Sequence, residues 1–517
     1  MRSPACLAAG PRVVAGLDMG FFLSSMLVLL MAMGLRLRYF SGLGLGDDLL
    51  LRNDILTIVH NGHVNFGPNG YRFTWWIPTV LTCRLFGLGE AGFITPIAVF
   101  DALGIVLVGV FARRLWGSRA GVIAALLLAV LPLDVAWSTM LASDVILSFC
   151  LALCMYFVVR APTEDDRERR RRCCALAAVG LWLAFHAKVS AVMLVPVVAI
   201  IGWANRRALG RDALRFVWTA ALLFGASALV FYVLHGNPLA PFDAELRSQG
   251  LTGREAQFHQ LTAEIFKVYP RWLFLPDAFG TLVYSVYPHV LIVLAIVGAL
   301  LGIRPCWPVF WWLCVLFLGM ELNVQHAGGY WIVGFRNVRH GHVFTYPLVL
   351  LLTGYLTAFR ARWPKAISGL VVLLLGVSLW QSIGTAMITH VAFGDLRNTT
   401  RFLATLPPKP TYSDFQVGSW FVFSGLADAG WHAQTIEENP DQRRQRLTTT
   451  TSGYLVTGGA REPYYGCIHC IPRADEVPTD RWSLVKEFPD PVPSTFWRTE
   501  PLRIWEARPA ADGGAPQ

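Results

Sequence analysis

The residues able to do chemistry lie in short polar stretches beside long apolar ones. "GLGLGDDLLLRNDI" (42–55) sets Asp47, Asp48 and Asp54 close together, and "LPLDVAWSTMLASD" (131–144) adds Asp134 and Asp144. Cations punctuate the chain in the same way: Arg72, then Lys188 within "FHAKVSA", then Arg339 and His340 two residues before His342. A carboxylate within reach of a hydroxyl can take its proton, and grouped cations stabilise negative charge as it develops. Each residue also has a plainer role. Asp54 and His60 read as the wet face of a helix lying on a membrane surface. Asp134 reads as a hydrated loop acid, Lys188 as a snorkelling lysine and Asp47 as a helix N-cap. His326 and His342 fit hydrogen-bonded interface residues better than metal ligands.

The elements that position these residues are membrane spans. The chain of 517 residues is 54% hydrophobic and only 15% charged, with a mean hydropathy of +0.47, far from soluble composition. A first span runs over 17–35. Others follow near 93–112, 120–137, 143–159, 174–187, 190–204, 214–234, 286–303, 308–322, 343–359 and 366–387, about eleven in all. The net charge of +10 does not point to nucleic acid, because its arginines cluster in short loops: Arg113, Arg114 and Arg119; Arg167 and Arg169 to Arg172; Arg206, Arg207 and Arg211; Arg360 and Arg362. That pattern assigns these loops, and the N-terminus with Arg2 and Arg12, to the cytoplasm. "EDDRERRRR" (164–172) then reads as a solvated cytoplasmic loop, and the candidate acids emerge on the outer face. Arg36 and Arg38 oppose the rule, either snorkelling or required on that side.

The outer segments are unequal. Loops at 38–92 and 235–285 are long, the second carrying Glu245, Glu255 and His259. The expected organisation is a membrane domain over 1–390 and a small extracytoplasmic α/β domain over 391–517. In the tail, strand-like runs "FQVGSWFVF", "GYLVTG", "WSLVKEF" and "LRIWEA" alternate with turn residues. Most of the ten cysteines lie in or beside apolar spans, where a thiol acts as a small hydrophobe. Cys467 and Cys470 in "GCIHC" are the exception, and an outer location of the tail favours a local disulfide.

In these stretches the chain resembles the GT-C membrane glycosyltransferases, in the branch of protein O-mannosyltransferase-like and lipid A aminoarabinose transferase-like enzymes. Asp47 and Asp48 stand at the family's acidic pair, with Gly62 following at the family's interval. Arg72 in "YRFTWWIPTVLTCRLFG" stands where the family has lysine. The best match is "RLWGSRAGVIAALLLAVLPLDVAWSTMLASDVILSF" (114–149), with Pro132 and Asp144 at the family's separation. "AKVSAVMLVP" resembles the lysine-containing turn, and "RHGHVFTYPLVLLL" the late arginine before a proline-containing span.

The resemblance implies an inverting glycosyltransferase of the plasma membrane that moves a sugar from a polyprenyl-phosphate donor to a hydroxyl of a protein, lipid A or an envelope polysaccharide. It implies Asp47 as base, Asp48 and Asp144 as supporting carboxylates, and Arg72, Lys188, Arg339 and His340 on the donor phosphate. A divalent metal is compatible with so many acids, although no compelling ligand set is present. Two other classes compete. A transporter or flippase of a lipid-linked sugar calls for acids near the bilayer midplane, and a scaffold gives the ordered acids and cations no purpose.

Overall fold

The computed structural model describes residues 18–43, 47–64, 66, 69–248, 307–322, 324–327, 330–333, 341–360, 362–413, 418, 431–436, 439–458, 474–488 and 501–508. By packing, the chain divides into two compact units: Met1–Phe40 with Asp54–Thr385, and Ser41–Asn53 with Ala386–Gln517.

The first unit is helical. Its helices are α1 (Met19–Arg38), α2 (Asp47–Asn61, which begins in the second unit), α3 (Phe73–Phe86), α4 (Glu90–Trp116), α5 (Ser118–Ala129), α6 (Pro132–Trp137), α7 (Ser143–Arg160), α8 (Arg167–Ala187), α9 (Val195–Ala204), α10 (Arg206–Leu209), α11 (Ala213–His235), α12 (Ala240–Ser248), α13 (Trp307–Glu321), α14 (His342–Arg360) and α15 (Pro364–Leu403, which ends in the second unit). Six described helices are long and apolar enough to cross a membrane: Met19–Arg38, Glu90–Trp116, Ser143–Thr163, Arg206–His235, His342–Arg360 and Pro364–Met387. Ser118–Ala129, Val189–Ala204 and Trp307–Glu321 are shorter apolar helices. The expected span at 286–303 lies outside the described residues.

Local chemistry explains the breaks. Asp18 caps α1, its carboxylate accepting from the Phe21 amide at 3.1 Å. Gly117 takes φ +92° between α4 and α5, a backbone state closed to most residues. α7 and α8 form a close antiparallel pair because Gly180 lies flat on Cys154: a methyl group there would stand 2.8 Å from the Cys154 nitrogen. The cysteines at 83, 150, 154, 173, 174 and 314 lie in these helices outside any disulfide, as their apolar settings suggested.

The arginine-rich loops converge on two carboxylates. Asp212 accepts from Arg167, Arg170 and Arg171 at 3.3, 2.8 and 3.0 Å. Glu164 accepts from Arg160 at 2.6 Å and Arg114 at 3.1 Å. The run at 164–172 is therefore only partly solvated: Arg169 and Arg172 are exposed, whereas Arg170 is held against the protein.

The first unit also holds an antiparallel hairpin of β1 (Val324–Ala327) and β2 (Tyr330–Val333), and the second unit holds a five-stranded sheet of order β4-β3-β5-β7-β6. Its strands are β3 (Thr411–Ser413), β4 (Ala433–Thr435), β5 (Tyr454–Thr457), β6 (Trp482–Phe488) and β7 (Leu502–Ala507), with helix α16 (Pro440–Thr449). β3 runs parallel to β4 and β5, and β7 runs antiparallel to β5 and β6. Three of the four strand-like runs in the sequence are strands; "FQVGSWFVF" lies outside the described residues except at Gly418. Tyr412, Ile436, Leu447, Leu455, Trp482 and Trp505 form the core. The buried indoles are satisfied: Trp482 donates to the Leu447 carbonyl at 2.9 Å and Trp505 to Thr457 at 2.8 Å.

Candidate functional site

At one end of the helical unit several chemistry-bearing residues meet at helix termini. Asp144 sits in the first turn of α7 and Lys188 caps the end of α8. Because α7 and α8 are neighbours, these ends coincide, and Lys188 Nζ donates to Asp144 Oδ1 at 2.8 Å. Asp144 is 2% exposed, and its place at a helix N-terminus favours its negative charge. Lys188 is therefore not a snorkelling lysine but the partner of a buried acid.

The N-terminus of α3 lies alongside. Thr74 donates to the Leu183 carbonyl of α8 at 2.8 Å, and the Phe73 ring stacks on His186, centroids 4.8 Å apart and 17° from parallel. That stacking brings Arg72, the residue preceding α3, to the end of α8 that carries Lys188. Arg72 pairs with Glu245 of α12, Nη2 to Oε2 at 3.3 Å. His186 is internally satisfied, its ring nitrogens 3.2 Å from the Tyr71 carbonyl and 3.0 Å from Ser227. On α2, Asp54 is not simply the wet side of a helix. It accepts from Asn69 at 2.8 Å and is half-buried, and that burial raises its carboxyl above the ordinary value. His60 is exposed, as expected.

Next to this group lies a buried ionic cluster. Arg36, near the end of α1, pairs through Nε with Asp101 of α4, and its Nη2 lies 2.7 Å from Asp134 of α6. Its Nη1 donates to the carbonyls of Ala129 at 3.0 Å and Ala32 at 3.3 Å. His342, at the start of α14, comes within 3.7 Å of the second oxygen of Asp134 and is fully buried. Here the structure decides an open alternative for Arg36 and corrects the expectation for Asp134. Arg36 does not snorkel, because two acids and the last turn of α5 hold it inside. Asp134 is not a hydrated loop acid, because it is buried against that arginine. His342 was expected to be hydrogen-bonded, but neither ring nitrogen has such a partner among the described residues.

Asp101 was missed, although it left a signal: a lone acid within an apolar run demands a partner, and Arg36 against the positive-inside rule was available. Asp47 and Asp48 open α2, and their side chains lie outside the described residues. Arg339, His340, Glu255, His259, Cys467 and Cys470 also lie outside them. Among the described residues no three His, Cys, Asp or Glu side chains are gathered as a metal site.

Residues 73–233, from α3 into α11, match the family model of dolichyl-phosphate-mannose-protein mannosyltransferases. Two solved structures share the fold. ArnT from Cupriavidus metallidurans, bound to undecaprenyl phosphate, aligns with 95% of this chain and 99% of its own at 14% identity and a TM-score of 0.53. The Archaeoglobus fulgidus oligosaccharyltransferase, tethered with an acceptor peptide, aligns with 86% of this chain and 69% of its own at 12% identity and a TM-score of 0.55. The segment that matches the family model lies wholly within the helical unit. No curated protein matches the sequence. At such identities the likeness to the solved structures is one of fold. The matched family segment contains Asp101, Asp134, Asp144 and Lys188, and it begins one residue after Arg72.

Proposed function

We propose that the chain is an inverting glycosyltransferase of the plasma membrane, moving a sugar from a polyprenyl-phosphate donor to a hydroxyl acceptor on a protein, lipid A or an envelope polysaccharide. The observation that carries this reading is the convergence, in a GT-C fold, of Asp144, Lys188 and Arg72 at one end of the helical unit. The ArnT relative bound to undecaprenyl phosphate and the oligosaccharyltransferase bearing an acceptor peptide support a lipid-linked donor and a separate acceptor. The arginine clusters around Glu164 and Asp212 lie at the other ends of α7 and α8, which supports a cytoplasmic face there and a reaction face opposite.

In this reaction the acceptor oxygen attacks the anomeric carbon while the bond to the lipid phosphate breaks. Asp47 takes the hydroxyl proton as the new bond forms. Asp48 and Asp144 orient the base and the reactants, and Lys188, Arg72, Arg339 and His340 meet the charge gathering on the departing phosphate. Acceptor choice is assigned to the tail domain and to the loop at 235–285, which carries Glu245, Glu255 and His259. Asp101 and Asp134 are acids inside the bundle, the kind of residue a transporter uses, but both are buried against Arg36, which fits a structural clamp better than a translocation path.

The decisive assay supplies labelled polyprenyl-phosphate sugar to membranes containing the Asp47→Asn variant. Transfer is expected to fall by about 10²–10⁴-fold, the usual worth of a general base. A folded variant with undiminished transfer removes Asp47 as the base.

A further inference from the structure

We infer that Arg72 is a phosphate position which Glu245 holds as an internal substitute, and that the donor phosphate must displace this carboxylate to bind. The inference rests on the reading of Arg72 as a donor-phosphate ligand and adds the competitor for it.

The contact is loose for a charged pair. Glu245 Oε2 meets a single nitrogen, Arg72 Nη2, at 3.3 Å, whereas a well-seated guanidinium–anion contact is about 2.7–2.9 Å and commonly engages two nitrogens. The rest of the guanidinium is underused: Arg72 Nε is buried and has no hydrogen-bond partner among the described residues. A buried donor left unmatched is costly, and an anion reaching Nε and Nη2 side by side removes that cost. A phosphate has the oxygens and the charge to do so. Glu245, approaching from one side, does not.

Glu245 is also not there by chance. It projects from α12, which is seated on aromatic residues: Phe242 meets Phe185 with centroids 5.5 Å apart, and Ala244 packs against the cluster of Tyr71, Phe231 and Ala240. The opposing side is equally fixed, because Phe73 is stacked on His186, two residues before Lys188. Arg72 and Lys188 thus face the incoming anion from neighbouring helix ends, and each is held by a carboxylate, Glu245 on one and Asp144 on the other. The two pairs differ in strength. Lys188–Asp144 is short, at 2.8 Å, with the acid 2% exposed, whereas Glu245 retains 22% exposure at 3.3 Å. Of the two contacts Glu245–Arg72 is the weaker, and it is the one that the phosphate displaces, freeing Arg72.

A competing internal anion lowers apparent affinity by the fraction of molecules in which the site is open. The test measures undecaprenyl phosphate binding to the full chain in nanodiscs for wild type, Glu245→Gln, Arg72→Gln and the double variant. Glu245→Gln is expected to bind about 1.5- to fivefold tighter, the range for a partly exposed ion pair. Arg72→Gln is expected to bind at least about tenfold more weakly, the loss of a charge-assisted contact. In the Arg72→Gln background the Glu245 change is expected to do nothing, which separates displacement from a general effect of removing a nearby negative charge. Unaltered binding by Arg72→Gln overturns the phosphate reading of Arg72 itself. Weakened binding by Arg72→Gln together with unchanged or weakened binding by Glu245→Gln overturns displacement alone. A gain from Glu245→Gln that persists without Arg72 also overturns it.

Discussion

Replacing Arg36 by methionine tests the buried cluster most directly. Arg36 is 2% exposed and is the cation on both Asp101 and Asp134, which are 1% and 2% exposed. Methionine fills much of the side-chain volume but leaves two acids facing each other in the bundle and frees the Ala129 carbonyl that Arg36 Nη1 held at 3.0 Å. Removing one partner of a buried pair costs about 3–5 kcal/mol, because the other charge is left unmatched. Here two acids lose their partner, so the expected loss is at the upper end of that range. Such a loss lowers the folded-to-unfolded ratio about a thousandfold or more. Asp134→Asn should be far milder, near 1 kcal/mol, since Arg36 and Asp101 remain as a one-to-one pair. The triple variant Arg36→Met, Asp101→Asn, Asp134→Asn should recover most of the Arg36→Met loss, because neutral amides have no charge to strand. Reversible unfolding by SDS titration in mixed micelles measures all three. An Arg36→Met protein as stable as wild type refutes the clamp, and so does a triple variant no better than Arg36→Met.

Lys188→Gln should lower sugar transfer and donor binding together, while Asp144→Asn should lower turnover at saturating donor. Transfer kinetics on purified variants separate the two, and identical behaviour would merge their roles into one structural pair. The Asp54 carboxyl is raised above its ordinary value of 3.8, chiefly by burial. The fold thus favours its protonated form, and this contribution is fully present below pH 3.8 and is lost as pH rises through the raised value. Asp54→Asn should accordingly flatten the stability-versus-pH curve just above 3.8, and an unaltered curve would show that Asp54 is well solvated. Gly180→Val should prise α7 from α8, since the added atoms meet the Cys154 backbone at under 3 Å. We expect a loss of about 1–3 kcal/mol or more from overpacking, together with weaker donor binding as Asp144 and Lys188 separate; unaltered stability would mean that the pair has room to yield.

The spans were legible because a bilayer demands runs of apolar residues, and the tail's strands because alternation and turn residues bound them. Asp144 and Lys188 were legible too, each lying at the end of such a run. What escaped was partnership between distant runs. Arg36 and Asp134 are 98 positions apart, joined at 2.7 Å only because α1, α5 and α6 pack together. Hydropathy treats each as an isolated defect to be hydrated or snorkelled, and nothing in a one-dimensional profile says that two defects cancel. The physical cost supplies the missing rule. A charge inside a bundle must be matched, so an unexplained arginine near the end of one span and unexplained acids in others are best solved as one equation. Applied along this chain, the rule couples Arg36 to Asp101 and Asp134 and leaves Asp144 for Lys188. It also marks His342, buried 3.7 Å from Asp134 without a hydrogen bond among the described residues, as the member whose protonation would change the balance: neutral, it leaves Arg36 facing two acids alone, and charged, it completes a two-to-two match.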